Sequence, residues 1–433
     1  MYSLVPNHTT PGKKTVKIRV LPDQLIQGYY LWFDGEEEYI DGSIIDISHN
    51  GHYRVKIVGK DGLVEEHNFV ISFLSKKITF SAGDGSSEDP YQISTLDQLN
   101  AVRLKLSAHY VLSANIDLSQ WGLTWVPIGK YVPHRENLNI KKAFSGTFNG
   151  LGFELQNLSC WTASNVASDE DINETGLFGC CINAVIHNLY LTNCQVFGKT
   201  AVGCLASEAQ GCHFENCHVS GLSQGFDWAG GLVGNGIELC LDKCSFTGRV
   251  IAEYDAAGLC YSADSIRDCE VNAEIASYQP CGVCSSVKTL IEHCIIRGTL
   301  SGCTEIGGIC RSMGTHTRIF GCICALKRVN IETTDIFTSD PPSSIDTCVG
   351  ERLFSFIDIQ DCSENEYMNT EYRQNFHCDA VAFNIKRTWN ANADLDGLSI
   401  TPGQLKECAF LRSVSWNIGQ VWIIEDDGPH LRK

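Results

Sequence analysis

A glycine followed by two apolar or small residues recurs six times through the middle of the chain: Gly176-Leu-Phe, Gly203-Cys-Leu, Gly231-Leu-Val, Gly258-Leu-Cys, Gly282-Val-Cys and Gly308-Ile-Cys, at steps of 27, 28, 27, 24 and 26 residues. Six cysteines run in phase with it, Cys194, Cys217, Cys244, Cys269, Cys294 and Cys322, at steps of 23, 27, 25, 25 and 28. Two columns sharing one period are hard to obtain by chance. Self-similarity at periods of about 20–50 residues identifies a solenoid, propeller or array.

The cysteine count follows the repeat. Of 22 cysteines none precedes Cys160, and most fall between Cys160 and Cys324. A zinc site needs four converging ligands, commonly from paired C-x₂₋₄-C units, whereas the only C-x-x-C is Cys281-Gly-Val-Cys284. No metal or other cofactor is therefore expected. In parallel strands stacked about 4.8 Å apart, a cysteine at one position of each coil forms an internal column and packs as a small apolar side chain. The expectation is a buried thiol ladder rather than a disulfide framework.

Apolar residues make up 43% of the 433, ample for a core, and no run approaches the roughly 18 apolar residues that span a bilayer. The start, Met1-Tyr-Ser-Leu-Val-Pro6, carries no signal-type segment. A net charge of −18 repels polyanions, which argues against nucleic acid and against an anionic membrane surface. Neutral or cationic ligands are favoured.

Residues 14–78 differ from the rest. After a flexible start over 1–13, short strands at Lys14–Val20, Tyr29–Phe33, Ser43–Ile47 and Tyr53–Val58 alternate with Asp-Gly and Asn-Gly turns, the pattern of a small antiparallel sandwich. Its closing hairpin and Trp32 resemble bacterial immunoglobulin-like modules. The solenoid is expected over 83–330, opened by a capping helix over about 95–106 with Ser94 or Thr95 as N-cap and Leu96, Leu99, Val102 and Leu106 as its apolar stripe. A loop and a C-terminal cap are expected over 331–433, with a helix starting at Thr401-Pro.

The ordered motifs Gly83–Ile93, Asn115-Ile-Asp-Leu118, Trp125-Val-Pro-Ile-Gly129, Phe144-Ser-Gly-Thr-Phe-Asn-Gly-Leu-Gly152, Gly176-Leu-Phe-Gly179 and Gly231-Leu-Val-Gly234 resemble the GLUG-repeat family. The resemblance covers about residues 83–433. It implies an all-β protein whose main body is a right-handed parallel β-helix, and a setting among adhesins, other surface proteins and protease stalks. The chain departs from the family where its second glycine becomes Tyr261, Ser285 and Arg311.

Candidate functional residues cluster just ahead of the repeat glycines. Phe226, Asp227 and Trp228 precede Gly231, Tyr254 and Asp255 precede Gly258, and Tyr278 precedes Gly282. On successive coils such rings are expected to stack and, flanked by acids, to hold a sugar chain. The same acids, with Glu305, would serve a polysaccharide lyase or glycoside hydrolase, which needs carboxylates on adjacent coils. There is no G-x-S-x-G, H-E-x-x-H or phosphate-cradling loop. His293, beside Cys294, is expected to point outward by strand alternation, away from any thiol partner. The leading expectation is a non-catalytic binding or structural protein, an adhesin on a bacterial surface, secreted, or a receptor-binding protein on a virion, recognising a glycan or surface receptor. The enzyme and a purely architectural spacer are the alternatives. A trimer is possible by analogy, though no heptad segment specifies one.

Overall fold

A computed structural model describes residues 2–21, 25–33, 35–130, 142–161, 174–303, 306–313 and 317–331, four short strands between 354 and 383, and residues 398–432. The start of the loop and cap expected over 331–433 lies outside the described residues, from 332 to 353.

The first unit is a two-sheet sandwich. One sheet holds β1 (Ser3–Pro6), β2 (Val16–Leu21) and β5 (Ile44–Ile47), and the other holds β3 (Ile26–Phe33), β4 (Glu36–Asp41), β6 (Gly51–Gly59) and β7 (Val64–Ile71), in the order β4-β3-β6-β7. Alternation places Ile18, Tyr29, Ile45, Val55, Ile57 and Phe69 at full or nearly full burial between the sheets. The flexible start is corrected: Ser3–Pro6 pairs antiparallel with Ile18–Leu21, because Tyr2 and Leu4 are apolar enough to be buried against the core. Strand β4 was also hidden, since Glu36-Glu-Glu38 lacks strand-forming composition. The hairpin with β3 forms because the ladder supplies its backbone partners.

The remainder is a parallel β-helix, continuous in its core with the sandwich. Thr95 caps the opening helix α1 (Leu96–Ala101), its hydroxyl accepting from the Gln98 amide at 3.3 Å. Helix α1 is shorter than expected and gives way to a 3₁₀ turn over Val102–Leu104. Leu96, Leu99 and Val102 are buried, as the stripe requires.

The repeat glycines mark the tightest corner of each coil. A Cβ on Gly231 would collide with the carbonyl oxygen of Gly258, one on Gly258 with that of Gly282, and one on Gly282 with that of Gly308. Backbones stacked this closely admit only glycine.

The cysteine column has a conformational origin. Asn216, Lys243, Asp268, His293 and Gly321 are all left-handed, with φ between +49° and +63°, and each immediately precedes a ladder cysteine. Across that corner the thiol donates to the carbonyl two residues back: Cys217 to Glu215 at 3.5 Å, Cys244 to Asp242 at 3.3 Å, Cys269 to Arg267 at 3.1 Å, Cys294 to Glu292 at 3.3 Å and Cys322 to Phe320 at 3.5 Å. A weak S–H donor small enough for the core is what this position uses. The head of the ladder is not Cys194. Cys217 pairs with Leu189, preceded by left-handed Asn188, and Cys194 faces Gly221 instead. The short step of 23 residues was the trace of this shift.

The same corner corrects the placement of His293. Strand alternation does not run through a left-handed residue, and the ring is only 13% exposed, wedged between Phe320 and Trp416 at centroid distances of 5.7 and 6.1 Å.

The last described rung pairs Phe376–Cys378 with Leu398–Ile400. The chain then turns back through α2 (Cys408–Ser413) and a hairpin, Trp422–Glu425 with Gly428–Leu431. These elements cover an apolar column on the outer face, Ile295, Ile323 and Phe376, through Leu411, Trp416 and Trp422. The hairpin reaches as far as Asp268, which accepts from Trp422 Nε1 at 3.1 Å, and Glu270, which accepts from the Leu431 amide at 3.0 Å. Among the described residues no helix is long and apolar enough to cross a membrane.

Candidate functional site

Two columns of side chains flank the glycine corner. On one side the short strands Trp228–Gly230, Asp255–Ala257 and Gln279–Cys281 stack in parallel, placing Trp228, Asp255 and Gln279 at one register position. On the other, Cys260 pairs with Cys284 and Cys284 with Cys310, so Tyr261, Ser285 and Arg311 follow one another immediately beyond.

The expected single aromatic stack is therefore divided. Asp227, Tyr254 and Tyr278 share one position, adjacent to the column of Trp228. The Phe226 and Tyr254 rings meet edge to face at 5.9 Å and are 45% and 46% exposed. Trp228 instead stacks across the corner on Tyr261, at 5.1 Å and 19°. Tyr278 is half-buried, and its amide donates to Glu253 at 3.0 Å.

The acids also separate. Asp227 is half-buried at the rim. Asp255 is 13% exposed and forms an ion pair with Nη1 of Arg311, itself 11% exposed, which also donates to Gln279 Oε1 at 2.5 Å. Burial raises the Asp255 carboxyl above the usual carboxylate range even against the Arg311 charge. Glu305 lies outside the described residues.

Two buried polar atoms in this trench, Trp228 Nε1 and Ser285 Oγ, have no hydrogen-bond partner among the described residues. Buried donors and acceptors are rarely left unpaired without a ligand or water to meet them. This face thus presents a ring platform and a charged pair, with the two unmet polar atoms buried beneath them and Ser285 fully buried. Tyr261, Ser285 and Arg311 supply half of it. The signal for them was already in the sequence, because each stands where the repeat pattern calls for glycine.

A second polar cluster lies one residue further along the same strands than the Tyr261 column. Glu208 accepts from Asn235 Nδ2 at 2.9 Å, and Asn235 accepts in turn from Ser262 at 3.1 Å. Burial pushes Glu208 up to about 7, the Asn235 bond opposes that, and the Glu174 charge adds to it. Among the described residues no group of three or more His, Cys, Asp or Glu side chains is placed to hold a metal ion.

No family profile matches the chain. It is 32% identical over 157 residues to a halomucin of Haloquadratum walsbyi, covering 35% of this chain and 2% of that protein. It is 25% identical over 222 residues to an immunoglobulin A1 protease of Streptococcus pneumoniae, covering 49% of this chain and 10% of that protein. The chain thus spans a tenth or less of the length of these relatives. Among solved structures it resembles a Bacteroides ovatus protein described as a candidate immunoglobulin A1 protease, with a TM-score of 0.51 and 15% identity, over 82% of this chain and 95% of that one. At that identity the likeness shows the fold alone, a β-helix preceded by a sandwich-like region.

Proposed function

We propose that this chain is a non-catalytic β-helical segment of a bacterial surface protein, and that it binds a glycan along the trench between Trp228 and Arg311. The carrying observation is the Trp228–Tyr261 stack beside the Asp255–Arg311 pair, with two unmet polar atoms, Trp228 Nε1 and Ser285 Oγ, buried beneath it. Sugars present an apolar face for aromatic rings and hydroxyls that both donate and accept, so they complement such a trench. The charged pair favours a neutral ligand, since Arg311 is already neutralised by Asp255. The halomucin and protease relatives support a place in a longer extracellular protein.

A glycan-array screen with product analysis by mass spectrometry tests this, comparing the wild type with a Trp228→Ala, Tyr254→Ala double variant. Binding that is lost in the variant, with the glycan recovered intact, supports the reading. Shortened glycans would move the protein to the hydrolase or lyase class. Silence across the array would leave an architectural spacer.

A further inference from the structure

The outer face of the N-terminal sheet carries a file of aromatic rings that ends in a groove. Tyr39, Tyr30 and Trp32 lie on β4 and β3, with Tyr30 paired to Tyr39 across the strands. Ring centroids are 4.9 Å apart from Tyr39 to Tyr30 and 6.1 Å from Tyr30 to Trp32. Tyr39 is 47% exposed, and Tyr30 and Trp32 are half-buried. Apolar rings in line on an exposed sheet contribute nothing to the core, which is filled by the alternate residues Tyr29, Val55 and Phe69. Cations on β6 hold them in place: the Arg54 guanidinium lies 4.5 Å from the Trp32 ring centre and the Lys56 ammonium 5.9 Å from that of Tyr30.

Beyond Trp32 the file runs into a cavity of about 460 Å³ at the seam with the first coil of the β-helix. Its sandwich wall includes Trp32, Phe33, Arg54 and Asn68, and its β-helix wall is the exposed pair Ser119 and Gln120. The seam is fixed by Gly122. This residue is left-handed, at φ +63°, and so close to β7 that a Cβ would collide with the carbonyl oxygen of Asn68. The sandwich's other sheet is also tied to the β-helix, through the Thr124 amide, which donates to the Leu4 carbonyl at 2.9 Å. The groove is therefore preformed, which lowers the ordering cost of binding. Aromatic walls with a few convergent polar groups at a domain seam are the usual make-up of a small-ligand site.

Charge decides the ligand class. Glu36, Glu37 and Glu38 line the neighbouring strand, Glu37 directly opposite Trp32, and Glu66 lies 3.6 Å from Arg54 Nε. Arg54, the arginine that lines the groove, is thus already matched by carboxylates, and Glu37 beside Trp32 would repel an anionic ligand. We propose that this file and groove form a second binding site, separate from the trench on the β-helix, for a short neutral oligosaccharide. The sugar faces rest along Tyr39, Tyr30 and Trp32, and the terminal hydroxyls reach Asn68, Ser119 and Gln120.

Saturation-transfer NMR and calorimetry on the full chain test this, using neutral trisaccharides of glucose, galactose, mannose and N-acetylglucosamine, with 3′-sialyllactose as the anionic probe. At least one neutral trisaccharide is expected to bind, and sialyllactose to bind more weakly than lactose. Trp32→Ala should weaken binding by at least about tenfold. Gly122→Ala, whose Cβ would push this groove-lining turn away from Asn68, should weaken it as well. In the Trp228→Ala, Tyr254→Ala background, where the trench is disabled, the Trp32-dependent binding should persist, so failure of this site and failure of the trench are distinguishable. Absence of binding by all the neutral probes overturns the proposal. So does binding that Trp32→Ala leaves unchanged in a protein whose circular dichroism matches the wild type.

Discussion

Nδ1 of His430 lies 2.7 Å from Oε1 of Glu270, the same oxygen that takes Nη1 of the buried Arg297 at 2.9 Å. This carboxyl joins the C-terminal hairpin to the side of the β-helix. Arg297 Nη2 adds a hydrogen bond to the Pro429 carbonyl at 2.5 Å, and His430 Nε2 lies 2.6 Å from Asp427 Oδ1. Arg297 is only 3% exposed, so its charge has no access to water to replace these partners.

The latch should depend on pH from both sides. The hydrogen bond to Glu270 raises the His430 pKa against burial, so its contribution is complete below the ordinary histidine value of about 6.5 and fades as pH rises through the raised value. Burial pushes Glu270 up, but the bond to His430 and the Arg297 charge outweigh it and hold the carboxyl below its usual range. Its contribution is therefore lost only as pH falls through that lowered value. Protection of amides 422–431 against hydrogen exchange, taken relative to the unfolded-peptide rate at each pH, should be highest in the mildly acidic range and lower at pH 8. His430→Gln should flatten the alkaline side at a cost of about 1–2 kcal/mol. An unchanged profile would show that His430 does not carry the effect.

Glu208 acts in the opposite direction to Glu270 and in the same direction as His430. Its carboxyl is raised to about 7 by burial, so the native state holds a proton that the unfolded chain releases near 4.5. Stability should fall by roughly 3 kcal/mol as pH rises from 4.5 to 7 on account of this one group. Glu208→Gln should remove that slope and stabilise the protein at pH 8, as read from urea midpoints at the two pH values.

Arg311→Ala should destabilise by about 3 kcal/mol, because Asp255 is left buried and unpaired. The double variant Asp255→Asn, Arg311→Met should recover most of that loss, and a double-mutant cycle in urea measures the coupling. Recovery of stability without recovery of glycan binding would assign the pair to recognition as well as to folding.

The ladder thiols, all buried inside the coil, should be closed to alkylating reagents until the chain unfolds. Burial holds Cys217, Cys269 and Cys322 protonated, their pKa values raised well above the ordinary thiol range. Cys408 is exposed. Mass-mapped alkylation should label Cys408 at once and the ladder only in denaturant. Cys269→Ala should cost about 1–2 kcal/mol, for a small cavity and a lost corner contact. Early labelling at Cys269 would contradict a closed core.

The repeat was legible because stacking leaves no alternative at two positions of each coil. Gly231, Gly258 and Gly282 stand where backbones touch, and the ladder cysteines follow left-handed corners, so both columns survive in the linear sequence. The aromatic and acidic candidates were legible as a cluster, but their partners were not. Trp228 meets Tyr261 and Asp255 meets Arg311 only because the chain folds across the glycine corner and stacks in a register that no spacing encodes. Strand β4, the first strand and the far reach of the hairpin were hidden for a related reason. The last two are held by partners distant in the chain, through a backbone ladder or a single buried carboxyl, and such partners leave no local periodicity, while β4 is held by the neighbouring β3 despite its acidic composition. Local sequence thus determined which residues line a coil, while tertiary packing decided which coils and which C-terminal residues meet, because those contacts arise only when distant segments share one buried, low-dielectric space.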